Sequence, residues 1–100
     1  MPAVSRKGDS LSTGHACTGS TTLDTPGQST VFANKILIAR ITDPTVAHPF
    51  PPVPACANHV ANVNVGSATV FAVGLAMARI GDAISGCTSV AAGSSNVFAG

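Results

Sequence analysis

The chain has 100 residues, room for one modest domain with a single core, because a domain of this size buries only about two-thirds of the surface its unfolded chain exposes. Its residues are 45% hydrophobic and 9% charged with a net charge of +1, which leaves no electrostatic footprint for nucleic acid or an anionic membrane surface and makes partner recognition depend on shape and apolar area. Positions 44–78 carry no Asp, Glu, Lys or Arg, but five prolines between Pro44 and Pro54, followed by Asn58, Asn62, Asn64 and Ser67, exclude a membrane-spanning helix.

The N-terminal Met-Pro-Ala-Val-Ser-Arg-Lys-Gly-Asp has no apolar core behind its basic residues, so no secretory signal is expected and the chain is expected to fold in the cytoplasm. Three cysteines is an odd number, and a reducing compartment keeps thiols free, so metal ligation is favoured over a disulfide framework. His15 and Cys17 follow this segment. Next comes Gly27–Asp43: Val-Phe-Ala, a turn at Asn34-Lys35, then a second apolar run ending in Arg40, which reads as a β-hairpin. Period two puts Ile36, Ile38 and Arg40 on one face of its second strand. His48 and the Pro-rich segment 49–54 follow; the latter reads as a stiff extended loop, with a proline-motif ligand as the lesser alternative. Cys56 and His59 lie beyond it.

Gly66–Asp82 repeats Gly27–Asp43 without gaps at an offset of 39, with nine identities in 17 positions. Leu75, Met77 and Arg79 occupy the places of Ile36, Ile38 and Arg40. A third copy is split between the ends: Gly93–Ala99 repeats the first half and Ala3–Asp9 the second. Eight residues separate Phe from Arg in every copy when the count runs from Phe98 through Gly100 and Met1 to Arg6, so the register closes like a ring. The expected fold is therefore all-β: one domain over 1–100, with units at 27–48, 66–87 and 93–100 plus 1–15, arranged as short hairpins about a pseudo-threefold axis. Asp9, Asp43 and Asp82 mark the exits, where an Asp side chain bonds the following turn. The matching Arg6, Arg40 and Arg79 are assigned to structure, either in pairing between units or in turn bonding.

His48 lies five residues after Asp43, Cys87 five after Asp82, and His15 six after Asp9, so three metal-ligand types share one repeat position. His59 offers a fourth ligand. Tetrahedral zinc accepts three His and one Cys, and four protein ligands close the site to water and substrate, as in structural centres. Cys17 and Cys56 are competing ligands, each able to replace the neighbouring His15 or His59 if the loop turns differently. No phosphate loop, no carboxylate pair at a distinct cleft and no nucleophile–base set stands out, so no catalytic residue is assigned.

The pieces Ala39-Arg40 and Ala78-Arg79, with Gly66–Phe71, Gly93–Phe98 and Ala78–Asp82, resemble the PAAR-repeat family over nearly the entire chain. The chain departs from that pattern at Thr42, where the other copies have Gly8 and Gly81, and in the long Pro-rich loop. The resemblance implies a small cone of β-hairpins with one structural zinc near its vertex, on ligands that map to His15, His48, His59 and Cys87. It also implies a monomer that caps a trimeric β-helical spike, one tip per trimer, in a type VI secretion system or a contractile phage tail. Such a tip is made in the cytoplasm, is carried on the spike and touches the target membrane transiently. The chain is expected to be a bare tip with no effector domain of its own and to be no enzyme. An adaptor that loads a separate effector, or a small zinc hydrolase with an open coordination position and a general base, are the alternative functions.

Overall fold

The computed structural model describes residues 2–51 and 54–100. The Pro52 and Val53 part of the Pro-rich segment, and Met1 in the turn of the split unit, lie outside the described residues. The described residues form β-strands, bridges and turns with no helix, in a body of 40 × 23 × 20 Å. The strands are β1 (Ser10–His15), β2 (Thr18–Thr22), β3 (Phe32–Ala33), β4 (Ile36–Leu37), β5 (His48–Pro49), β6 (Asn58–His59), β7 (Asn62–Val63), β8 (Phe71–Ala72), β9 (Leu75–Ala76), β10 (Ile84–Ser85) and β11 (Ser89–Val90).

Backbone hydrogen bonds come in sets of three. Ser5 N–H donates to the Ala78 carbonyl (2.8 Å), Ala78 N–H to Ala39 (2.9 Å) and Ala39 N–H to Ser5 (3.0 Å), which closes a cycle through the residue preceding each unit's Arg. All three are fully buried. Three chains converging this closely leave no space for a larger side chain, which is why the sequence reads Ser, Ala and Ala there. Around this cycle Arg6 bridges Ile38, Arg40 bridges Met77 and Arg79 bridges Val4.

On one side of the cycle lie the hairpins β3–β4 and β8–β9, pairing Phe32 with Leu37 and Phe71 with Ala76. Their two-residue turns, Asn34-Lys35 and Val73-Gly74, are left-handed throughout (φ 54° and 66°; 47° and 81°), the geometry that matches strand twist in tight hairpins. The third hairpin is built from both ends of the chain: Ala3 bridges Phe98, and Val4 N–H donates to the Val97 carbonyl at 3.0 Å. Unit entries are fixed by a side chain: Gln28 Oε1 and the Ser67 and Ser94 hydroxyls each accept two backbone N–H bonds, the second from Val31, Val70 and Val97 respectively. A Cβ at Gly93 would lie 2.5 Å from the Val4 carbonyl oxygen, and one at Gly66 would lie 2.8 Å from that of Met77, so neither entry admits a side chain.

Each unit then turns through an Arg-x-x-Asp pair. The Asp carboxylate accepts both the backbone N–H of its Arg (2.8 Å in all three) and the guanidinium Nε (2.9, 3.1 and 3.0 Å in chain order). The sequence expectation had these carboxylates bonding forward; they bond back, because the guanidinium and its own N–H converge on the same oxygen. Gly8 (φ 86°), Thr42 (φ 73°) and Gly81 (φ 90°) occupy equivalent left-handed positions in these turns, so Thr42 adopts a glycine conformation without being glycine. The period-two expectation also fails: Ile36 is exposed, whereas Ile38, Ala39 and Arg40 are buried in succession. The strand ends at Leu37, and the next residues enter the cycle, where neighbours cover both faces.

Beyond the turns, three excursions leave and return. The returning residues Leu23, Val63 and Val90 accept from Gly8, Thr42 and Gly81 N–H and donate to the carbonyls of Asp9, Asp43 and Asp82. Each return pairs with the next departure: Leu23 with Thr45, Val63 with Ile84, and Val90 with Leu11. Leu11, Leu23, Val63, Ile84 and Val90 form the core on this side with Ala39, Ala61 and Ala78, and Cys87 packs against it. A separate cluster of Val4, Ala33, Ile38 and Ala99 fills the hairpin side.

Candidate metal centre

The three excursions are unequal, and each delivers a ligand. The first is the antiparallel pair β1–β2, with His15 as the last residue of β1. The second is the longest; β5 and β6 pair across it so that His48 faces His59 directly, which explains how two histidines eleven residues apart reach one site. The third is short, and its turn carries Cys87, whose N–H donates to the Ile84 carbonyl at 3.0 Å.

The ligand atoms of His15, His48, His59 and Cys87 all lie within 4.8 Å of one another, with His48 buried and the other three half-buried. These four residues could hold a metal ion. Cys87 Sγ is 3.5 Å from His48 Nε2 and 3.7 Å from His15 Nε2; the N–S edge of a tetrahedral zinc site is about 3.6 Å. His48 Nε2 and His59 Nε2 are 2.7 Å apart, closer than the N–N edge of about 3.3 Å for a bound tetrahedral ion. The donor set therefore fits a metal once this pair opens by about 0.6 Å.

Backbone carbonyls orient two of the rings. His48 Nδ1 lies 2.8 Å from the Val46 carbonyl oxygen and His15 Nδ1 lies 2.9 Å from that of Ala16. A carbonyl only accepts, so Nδ1 carries the proton in both rings and each Nε2 lone pair points inward. His59 Nε2 either donates its own proton to His48 Nε2 or, with the proton on Nδ1, leaves two lone pairs that a cation would bridge. Burial, then the neighbouring His48 and His15, lowers the His59 pKa, which favours the neutral imidazole that ligates. Burial pushes the Cys87 thiol up; a bound cation acts in the opposite sense by favouring the thiolate.

Thr45 occupies the repeat position of Leu11 and Ile84 and is fully buried. Its hydroxyl accepts from Ala61 N–H (3.1 Å), donates to the Val46 carbonyl (3.1 Å) and lies 3.5 Å from His48 Nδ1, so it fixes the backbone that holds that ring. Phe50 covers the outside, with ring centroids 4.7 Å from His15 and 4.0 Å from His59. Neither residue was singled out from the sequence. The signal for Thr45 was present as a polar residue in an apolar column of the repeat; Phe50, inside the Pro-rich segment, had none.

Cys17 and Cys56 do not compete for this site. They are bonded to each other, with Cα atoms 5.8 Å apart, and Cys87 is the free thiol. The expectation of free thiols throughout is corrected: an odd count of three resolves into one bridge and one ligand-type thiol. The turn at Ala16-Cys17 brings Cys17 past the site, with φ at 80° in Cys17 and 46° in Cys56 turning both chains back. The chain matches no family model, and no curated protein matches it either.

Proposed function

We propose that this chain is a PAAR-like tip that caps the trimeric β-helical spike of a contractile injection machine. The observation that carries the reading is the cycle of bonds through Ser5, Ala39 and Ala78, which gives one chain three equivalent faces. A trimer ends in a threefold surface, and a single chain matches it only by presenting three similar faces. Phe32, Phe71 and Phe98 hold the same position in the three units and are about half exposed (52%, 57% and 49%). They form the spike-facing end, where apolar and backbone contacts cover the open strand edges of a β-helix.

The opposite end carries the ligands, and the molecule is then a cone with the metal at its vertex. The metal is zinc, held by His15, His48, His59 and Cys87, because an imidazole and thiolate donor set suits that ion. With all four positions filled by protein, the zinc supplies cross-linking and no reaction site. Three of the chain's four carboxylates are held by arginines, which also leaves little to act as a general base. Synthesis in the cytoplasm, carriage on the spike and brief contact with a target membrane complete the proposal.

Mixing the purified chain with the trimeric spike protein of the same organism and measuring native mass tests it. One tip per three spike chains with one zinc is the expected result. Three tips per trimer, or zinc-dependent hydrolysis, would refute the assignment.

A further inference from the structure

We infer that the Cys17–Cys56 disulfide is a redox lock on the metal centre; this rests on the metal reading above. The first two excursions are joined differently near the core and at their tips. Near the core their backbones are tied by the Leu23–Thr45 bridge and by Val46 N–H donating to the Thr22 carbonyl at 2.9 Å. Further out, the described residues have no backbone bond between them. The tips are held by side chains alone: His15 stacked on His48 with centroids 5.4 Å apart, edge-on to His59 at 5.2 Å and to Phe50 at 4.7 Å, and the disulfide.

The bridge lies just past the ligands on both chains, since Cys17 is two residues after His15 and Cys56 three before His59. It therefore closes the far side of the pair that supplies three of the four ligands. A chelator removes a four-coordinate ion stepwise, each step needing one ligand to swing out. With the bridge formed, the second excursion cannot move away from the first, and His48 and His59 stay within reach of the ion. With the bridge reduced, only the ring contacts of His15 with His48, His59 and Phe50, and the ion itself, hold the tips together.

Both cysteines are half-buried, accessible to thiol–disulfide exchange. Closure forms one S–S bond, and its two electrons and two protons pass to a second disulfide, which is reduced to two thiols. A chain made under reducing conditions and delivered outside them acquires the lock on delivery.

The test uses the full chain loaded with Zn²⁺, equilibrated either with oxidised glutathione or with a phosphine reductant. Alkylation under denaturing conditions followed by intact mass counts free thiols, elemental analysis gives zinc per chain, and a chromogenic chelator reports release. The expected result is one alkylated thiol after oxidation and three after reduction, with zinc bound in both forms and release slowed roughly tenfold or more by oxidation. A Cys17→Ser/Cys56→Ser variant should hold zinc and release it at the reduced rate under either condition; if that variant does not fold, the two redox states of the unsubstituted chain decide. Three free thiols after oxidation would overturn the lock, as would equal release rates with the bridge formed. Absence of zinc from both forms is a different failure, which overturns the metal reading and the lock together.

Discussion

The two ends of this molecule solve closure in different ways. On the hairpin side, three units share one set of bonds at the cycle and the turns, down to Arg–Asp pairs with a common 2.8 Å contact. On the ligand side, the same three units send out excursions of different length, meet through four side chains that are not all alike and add a covalent bridge. Symmetry is kept where every backbone group must find a partner in the next unit. It is relaxed where side chains meet, because the metal site proposed there would accept donors from any chain direction provided they converge.

The largest expected effect breaks the repeating end. Arg40 and Asp43 are the most buried of the three pairs, with side chains 7% and 5% exposed, so Asp43→Ala leaves an unpaired buried guanidinium and is expected to cost about 3–5 kcal/mol. Asp9→Ala, in a pair exposed at 16% and 12%, should cost less in the same denaturant titration. Equal losses would mean that the pairs are not distinguished by burial. Next is Ala78→Val at the axis, where added volume has nowhere to go and should cost about 1–3 kcal/mol, read as a lowered melting temperature with metal uptake unchanged.

A smaller effect should have the opposite sign. Thr42→Gly relieves a β-branched residue at φ 73° and restores the residue of the other two turns, for an expected gain of about 1 kcal/mol; a loss in thermal melts would mean that Thr42 makes a compensating contact. The smallest change in stability is expected from Phe71→Ala, at 57% exposure, within about 0.5 kcal/mol. The same variant should weaken spike binding in a pull-down, and full retention of binding would remove the hairpin end as the docking face.

Much of this contrast was legible in the sequence. The offset of 39 between Gly27–Asp43 and Gly66–Asp82, and the split copy at the ends, located the hairpins because the repeated contacts demand repeated residues. Repeat position likewise singled out His15, His48 and Cys87. The strand faces were not readable: elements of two residues are too short for periodicity to assert itself, and Ile38 and Ala39 are buried together by neighbouring units. Nor was the Cys17–Cys56 bond: the two cysteines are separated by the same 39 residues as the repeated segments, but whether they pair depends on where two turns end in space. The left-handed Thr42 was visible only as a departure from Gly8 and Gly81.

Amide hydrogen exchange on the zinc-loaded and chelated protein compares the two ends in one experiment. The hairpin end closes through backbone bonds that need no metal, so Ser5, Ala39 and Ala78 should keep their protection after chelation, whereas, with the disulfide reduced, amides in 48–51 and 54–59 should lose roughly tenfold or more. Loss of protection spread evenly over both ends, or no change at either, would contradict the division between a self-sufficient cycle and a metal-closed tip.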